Sequence, residues 1–206
     1  YLGKNFSNSD VKKEIKKFKI KKFKQSIKPS EIADLLHKGK IIALFNGRME
    51  FGPRALCNRS IICKATNSKI NNSLNKKLQR TEFMPFAPIT LETHKSKMFY
   101  NSKKGNLASK FMTLTYRCKK KMIKISPATV HVDNTARPQF INKKQNPKIY
   151  GILNEYFRIT KIPNLINTSF NMHEEPIVYT PNDAFRSFLQ SKIDYLYIED
   201  FLIPKK

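Results

Sequence analysis

An apolar run, Ile41 to Phe45, empties directly into Gly47-Arg48-Met49-Glu50-Phe51-Gly52-Pro53-Arg54-Ala55-Leu56-Cys57-Asn58-Arg59-Ser60, and this junction constrains the chain more than any other stretch. A strand that ends in this way delivers anion-binding groups to a loop. Glycine lets a backbone approach a ligand and take up positive φ, proline fixes the turn, and each guanidinium offers a planar donor fork matched to phosphate or carboxylate. The client that fits is a small, multiply charged anion. For an isolated Gly-x-Arg, a plain surface turn would be the better reading.

The distribution of charge favours the site reading. Of 40 basic residues eight are arginine and 32 lysine, and five of the eight arginines (48, 54, 59, 80 and 137) fall in three motif-like stretches. Arginine is placed while lysine is scattered. The net charge of +25 still raises a rival, a nucleic-acid-binding surface.

A chain of 206 residues can bury a core and fits one domain, or one domain with an extension. A first residue of Tyr1 suggests a piece of a longer polypeptide. No signal peptide is visible, and no apolar run reaches the roughly 18 residues that span a bilayer. We therefore expect a soluble, cytoplasmic protein. Cys57, Cys63 and Cys118 are odd in number and lack C-x-x-C spacing, so neither a disulfide framework nor a zinc site is indicated.

Residues 1–26 read as a lead-in, with Ser9 or Asp10 capping a helix through Val11, Ile15 and Phe18, and residues 27–206 read as the domain. Pro29-Ser30-Glu31 starts a helix that Gly39 ends, followed by the strand at Ile41 to Phe45. Asn67 to Lys77 reads as a helix delivering Lys76, Lys77 and Arg80 to the loop before Phe83-Met84-Pro85-Phe86-Ala87-Pro88. Lys95 to Lys110 is expected as a loop or short helix, Phe111 to Tyr116 as a strand, and Lys119 to Lys124 as a solvated turn. Ala128 to Asp133 reads as a strand, Pro147 to Thr160 as a helix, and Leu165-Ile166 as a buried strand ending at Asn167. A helix from Pro181 and a closing strand, Tyr195 to Ile198, complete the pattern. Alternating strands and helices without a repeat predict the α/β class with a mixed, twisted sheet flanked by helices, each polar motif falling just after a strand.

His131-Val132-Asp133-Asn134-Thr135-Ala136-Arg137 combines an imidazole, a carboxylate and a guanidinium. His131 reads either as a core histidine with a hydrogen-bonded ring or as a functional group, and Arg137 is the better candidate. Asn167-Thr168-Ser169-Phe170-Asn171 offers short polar side chains suited to phosphate oxygens or a ribose hydroxyl, or equally a capping turn.

These motifs, with Glu175-Pro176-Ile177-Val178, stand in the order found in the C-terminal domain of the carbamoyltransferase family, the nodulation-factor, cephamycin and tobramycin O-carbamoyltransferases, which this chain resembles from about residue 45 onward. The resemblance implies a YrdC-like domain that makes carbamoyl adenylate from carbamoyl phosphate and ATP with Mg²⁺. A preceding domain of the sugar-kinase/actin-like type, absent here, would bind iron and transfer the carbamoyl group to an acceptor hydroxyl. No metal ligands are assigned in this chain. By the same resemblance Arg54 matches the carbamoyl-phosphate-binding arginine, Arg137 the second anion-binding arginine, and Asn167 and Ser169 the polar pair of the site, beside Asn171. Arg80 keeps its family position.

The chain departs from the family where Leu78 stands for a lysine and Met84 for an arginine, and Lys76 or Lys77 is inferred to supply the missing charge. Cys57 and Asn134 replace family glycines. Asparagine tolerates left-handed geometry, whereas cysteine suggests that its position does not require it. The reading is an adenylate-forming carbamoyltransferase domain with no membrane association and only weak nucleic-acid binding. Its alternatives are a basic nucleic-acid-binding domain or a non-catalytic one.

Overall fold

The computed structural model describes residues 1–78 and 86–205. In chain order the elements are α1 (Asn8–Lys17), β1 (Lys24–Gln25), α2 (Pro29–His37), β2 (Ile42–Phe45), β3 (Arg59–Cys63), α3 (Ile70–Lys77), β4 (Ala87–Leu91), α4 (Lys95–Met98), α5 (Asn106–Ser109), β5 (Tyr116–Arg117) and α6 (Lys120–Ile125). They continue with β6 (Thr135–Ala136), β7 (Gln139–Ile141), α7 (Pro147–Thr160), β8 (Asn164–Ser169), α8 (Pro181–Gln190), β9 (Tyr195–Ile198) and β10 (Phe201–Pro204).

Among the described residues the main sheet has eight strands in the order β1-β10-β9-β2-β3-β8-β4-β7. It is mixed. β2 runs parallel to β9 and β4 parallel to β7, while β3 and β8 are antiparallel to both of their neighbours. β2 is apolar along its whole length because both of its faces are covered. Ala43 and Phe45 pack with Val11, Leu74 and Phe185 on one side, against α1, α3 and α8. Ile42 and Leu44 pack with Ile32, Leu36, Ile152 and Tyr156 on the other, against α2 and α7. This three-layer α/β architecture is the class read from the sequence.

Several local expectations are corrected by packing. Within residues 1–26, Ser7 rather than Ser9 or Asp10 caps α1, Val11 is fully buried, and β1 pairs with β10. Phe111 and Leu114 are exposed, so the strand expected over 111–116 shrinks to β5. Lys119–Lys124 is not a plain turn but leads into α6, which buries Met122 against Met98, Phe99 and Phe140 while its lysines face out. In place of a strand, 128–133 form a short 3-10 turn and a bend that ends in β6. β8 extends through Ser169, because β3 and β4 flank it and Thr168 and Asn167 pair with Ile61 and Ile62. The strands β1, β3, β7 and β10 have no counterpart among the strands expected from the sequence.

One end of the sheet gathers the motifs. Phe45 pairs with Arg59, Ser60 with Ser169 and Ala87 with Asn167, so the β2–β3 loop, the end of β8 and the start of β4 meet there. Gln139, two residues after Arg137, begins β7 beside β4.

Candidate functional site

The β2–β3 loop is built around two buried charges. The Glu50 carboxylate, 5% exposed, accepts through Oε1 from the backbone N–H groups of Leu56 (2.7 Å), Asn58 (2.6 Å) and Arg59 (3.0 Å). Arg59 is wholly buried. Its guanidinium lies 3.5 Å over the Phe45 ring and donates to the carbonyls of Asn46, Asn58 and Gly47, each at 3.0 Å. Burial pulls the Arg59 pKa down to about 10, with nearby Glu50 and Glu199 opposing that shift. Of the three arginines expected to offer forks to an anion, Arg59 therefore holds the loop instead. Gly52, at φ 125, takes a turn that a side chain would strain.

Arg54 and Arg137 line a cleft of about 270 Å³ whose walls also include Ala55, Phe86, Met112, Asn167, Thr168, Ser169, Asn171, His173 and Glu174. Among the described residues neither arginine has a carboxylate partner within the cleft. Burial first, and then the charge of Arg54, lower the Arg137 pKa, and the Arg137 Nε is buried without a hydrogen-bond partner among the described residues. Asn167, in the middle of the sheet, donates to the Ala55 carbonyl (2.9 Å) and to Gln139 Oε1 (3.2 Å), and its Oδ1 is also buried without a partner among the described residues. Ser169 Oγ lies 2.6 Å from Asn171 Oδ1, and Asn171 Nδ2 donates to the Glu175 carbonyl (2.8 Å), which folds the 170–178 turn back over the end of β8. Such an arrangement offers two cations to an anion and the Asn167 amide oxygen to a hydrogen-bond donor on its uncharged part.

The structure thus brings together Arg54, Arg137, Asn167, Ser169 and Asn171. Lys76 and Lys77 do not line the cleft: Lys77 stands 4.0 Å from Asp194, whose carboxylate accepts from Ile41 N–H at the opposite end of β2. Arg80, with 79–85, lies outside the described residues. Leu78 is fully buried in the apolar cluster with Leu74 and Phe86, a place where a lysine head would have no water. His131 belongs to a turn, its Nδ1 3.0 Å from Thr135 Oγ1, and Asp133 accepts from the same hydroxyl at 2.7 Å. Both positions that replace family glycines are left-handed, Asn134 at φ 61 and Cys57 at φ 78, which corrects the inference that cysteine marks a relaxed position. Cys57 is buried and its thiol donates to Gln139 Oε1 at 3.1 Å.

Glu50, Gln139, Met112, His173 and Glu174 were not singled out from the sequence. For Glu50 and Gln139 the signal was weak, since their roles come from neighbours 6 and 82 residues away. Among the described residues no group of three His, Cys, Asp or Glu side chains is placed to hold a metal ion, and no helix is long and apolar enough to cross a membrane.

The architecture matches solved structures at low identity, which speaks to fold alone. HypF in its phosphate- and nucleotide-bound form is 18% identical with a TM-score of 0.61, covering 85% of this chain and 25% of that one. A Sua5 variant of P. abyssi is 10% identical with a TM-score of 0.54, covering 84% and 45%. The fold is YrdC-like. Residues 33–205 match the carbamoyltransferase C-terminus family, and the chain belongs to that family. It is 40% identical to protein MJ1058 of Methanocaldococcus jannaschii over 212 residues, which is all of this chain and 34% of that protein. It is 36% identical to nodulation protein NolO of Bradyrhizobium diazoefficiens over 178 residues, 86% of this chain and 32% of that protein. The chain therefore spans about a third of the length of the curated relatives it matches.

Proposed function

We propose that this domain binds carbamoyl phosphate and MgATP in the Arg54–Arg137 cleft and forms carbamoyl adenylate, which another domain of the full-length protein transfers to an acceptor hydroxyl. The observation that carries the reading is the pairing, at one end of the sheet, of two guanidiniums that lack carboxylate partners among the described residues with the polar side chains of Asn167, Ser169 and Asn171, where the buried Asn167 Oδ1 is an acceptor suited to a carbamoyl N–H. At about 270 Å³ the cleft lies just under the roughly 300–1,000 Å³ of drug-sized pockets, which suits a carbamoyl phosphate better than an entire nucleotide. The nucleotide would extend out of it.

Water attacks the phosphorus of carbamoyl phosphate, so that inorganic phosphate leaves and carbamate stays bound. A carbamate oxygen then attacks the α-phosphorus of ATP, the bond to the β-phosphate breaks, and pyrophosphate departs. Both steps gather negative charge on phosphoryl oxygens, and positioning plus charge neutralisation supplies most of the catalysis in such chemistry. Arg54 and Arg137 would neutralise that charge, while Asn167 and Ser169 would orient the carbamoyl amide. Glu174 is the only carboxylate among the described lining residues, so Mg²⁺ would arrive on the nucleotide phosphates rather than on a protein site.

Calorimetry with carbamoyl phosphate and with MgATP, followed by mass spectrometry of the mixed reaction, tests this. Saturable binding of both ligands and appearance of carbamoyl adenylate with pyrophosphate are expected. Carbamoylation of a hydroxyl acceptor by this chain alone would refute the division of labour.

A further inference from the structure

The cleft explains where Arg54 stands but not what keeps it there. Glu50 Oε1 brings the N–H groups of Leu56, Asn58 and Arg59 to a single point, so residues 51–55 form a closed excursion with Arg54 near its tip. The 2.6 and 2.7 Å separations are those of charge-assisted bonds. Arg59 fixes the other side of the same loop through the carbonyls of Asn46 and Gly47, and Asn58 Nδ2 donates to the Arg48 carbonyl at 2.7 Å. Glu50 does not line the cleft. It faces a separate cavity of about 410 Å³ beside Tyr1 and Leu56, so its negative charge organises the loop from behind without confronting an anion.

We infer that Glu50 is a positioning residue for the anion site: its carboxylate sets where Arg54 stands, and it acts on ligand only through that arginine. This inference rests on the proposed role of Arg54. The carboxylate matters because three donors converge on one oxygen, and a neutral amide oxygen holds three converging donors less firmly than an ionised one.

The test is a double-mutant cycle in this chain. Glu50→Gln keeps the shape and removes the charge. Its thermal midpoint should move by only a few degrees, while amide exchange in the 51–59 segment rises about tenfold and carbamoyl phosphate affinity falls about 10- to 100-fold. In an Arg54→Ala background the same change should alter affinity less than about twofold, because its effect is routed through the missing guanidinium. Equal losses in both backgrounds would mean a general structural effect and would overturn the inference. So would unchanged exchange and affinity. If Glu50→Gln does not fold, Glu50→Asp, which keeps the charge but withdraws it by one methylene, carries the same comparison. Failure of the unsubstituted chain to bind carbamoyl phosphate would overturn the proposed function beneath it, whereas binding that survives Glu50→Gln would overturn this inference alone.

Discussion

Arg137 and Arg54 enter one cleft from different loops, and the charge of Arg54 adds to burial in lowering the Arg137 pKa. A bound dianion would offset both effects, since it would neutralise the repulsion and supply the acceptor that the buried Arg137 Nε lacks among the described residues.

Carbamoyl phosphate should therefore raise the unfolding midpoint of the ligand-free chain, by the equivalent of about 2.7 kcal/mol at a hundredfold excess over its Kd. Arg54→Ala or Arg137→Gln should cost on the order of 2 to 5 kcal/mol of binding. Lys120→Ala and Lys121→Ala, on the exposed side of α6, should leave it unchanged. Calorimetry and thermal-shift titration give both values, and equal losses at the lysines would indicate a diffuse electrostatic surface in place of a site.

Asn134, at φ 61 on an exposed turn, isolates the backbone requirement from packing. Asn134→Ala should destabilise the chain by about 1 to 2 kcal/mol, and Asn134→Gly by a few tenths at most. Urea titration of the three proteins measures the difference, and an alanine variant as stable as the parent would mean that the turn relaxes freely.

Glu92 links the start of α4 to the segment before α7, accepting from Asn142 Nδ2 at 2.6 Å and from Lys95 Nζ at 3.3 Å. The Asn142 bond is the chief cause of its lowered pKa, burial opposing it. A carboxylate depressed in the folded state contributes stability above its unfolded pKa near about 4.3, and that stability is lost as pH falls through the lower folded value. Glu92→Gln should accordingly cost up to about 1 kcal/mol at pH 7, with the gap closing below about pH 4. Stability curves of parent and variant from pH 7 to 3 provide the check; a gap that widens on acidification would reverse the assignment.

The net charge of +25 predicts some attraction to nucleic acid. Duplex RNA should bind weakly at low salt, lose affinity near physiological ionic strength, and ignore Arg54→Ala. Tight binding at physiological salt that needs Arg54 would turn the cleft into a nucleic-acid site.

How far the sequence carried can be read from particular residues. The α/β class, α7 over Pro147–Thr160 and the helix start at Pro29 were legible because period, proline and capping act within a few residues. The grouping of Arg54 and Arg137 with Asn167, Ser169 and Asn171 followed from resemblance, and their meeting at one sheet end follows from strand pairing. The same local reading put Arg59 with the anion ligands, since an arginine in a glycine-rich loop looks alike whether it faces a cleft or a ring. Register decided the matter: Arg59 pairs with Phe45, and the turn of β3 directs its guanidinium inward over that ring. Lys76 and Lys77 were offered to the site by adjacency in sequence, yet α3 carries Lys77 toward Asp194. The order and chemistry of the motifs were fixed by the amino acids themselves, because those are local properties. Which charges meet a ligand and which hold the loop was decided only in three dimensions, because burial and long-range hydrogen bonds depend on residues far away along the chain.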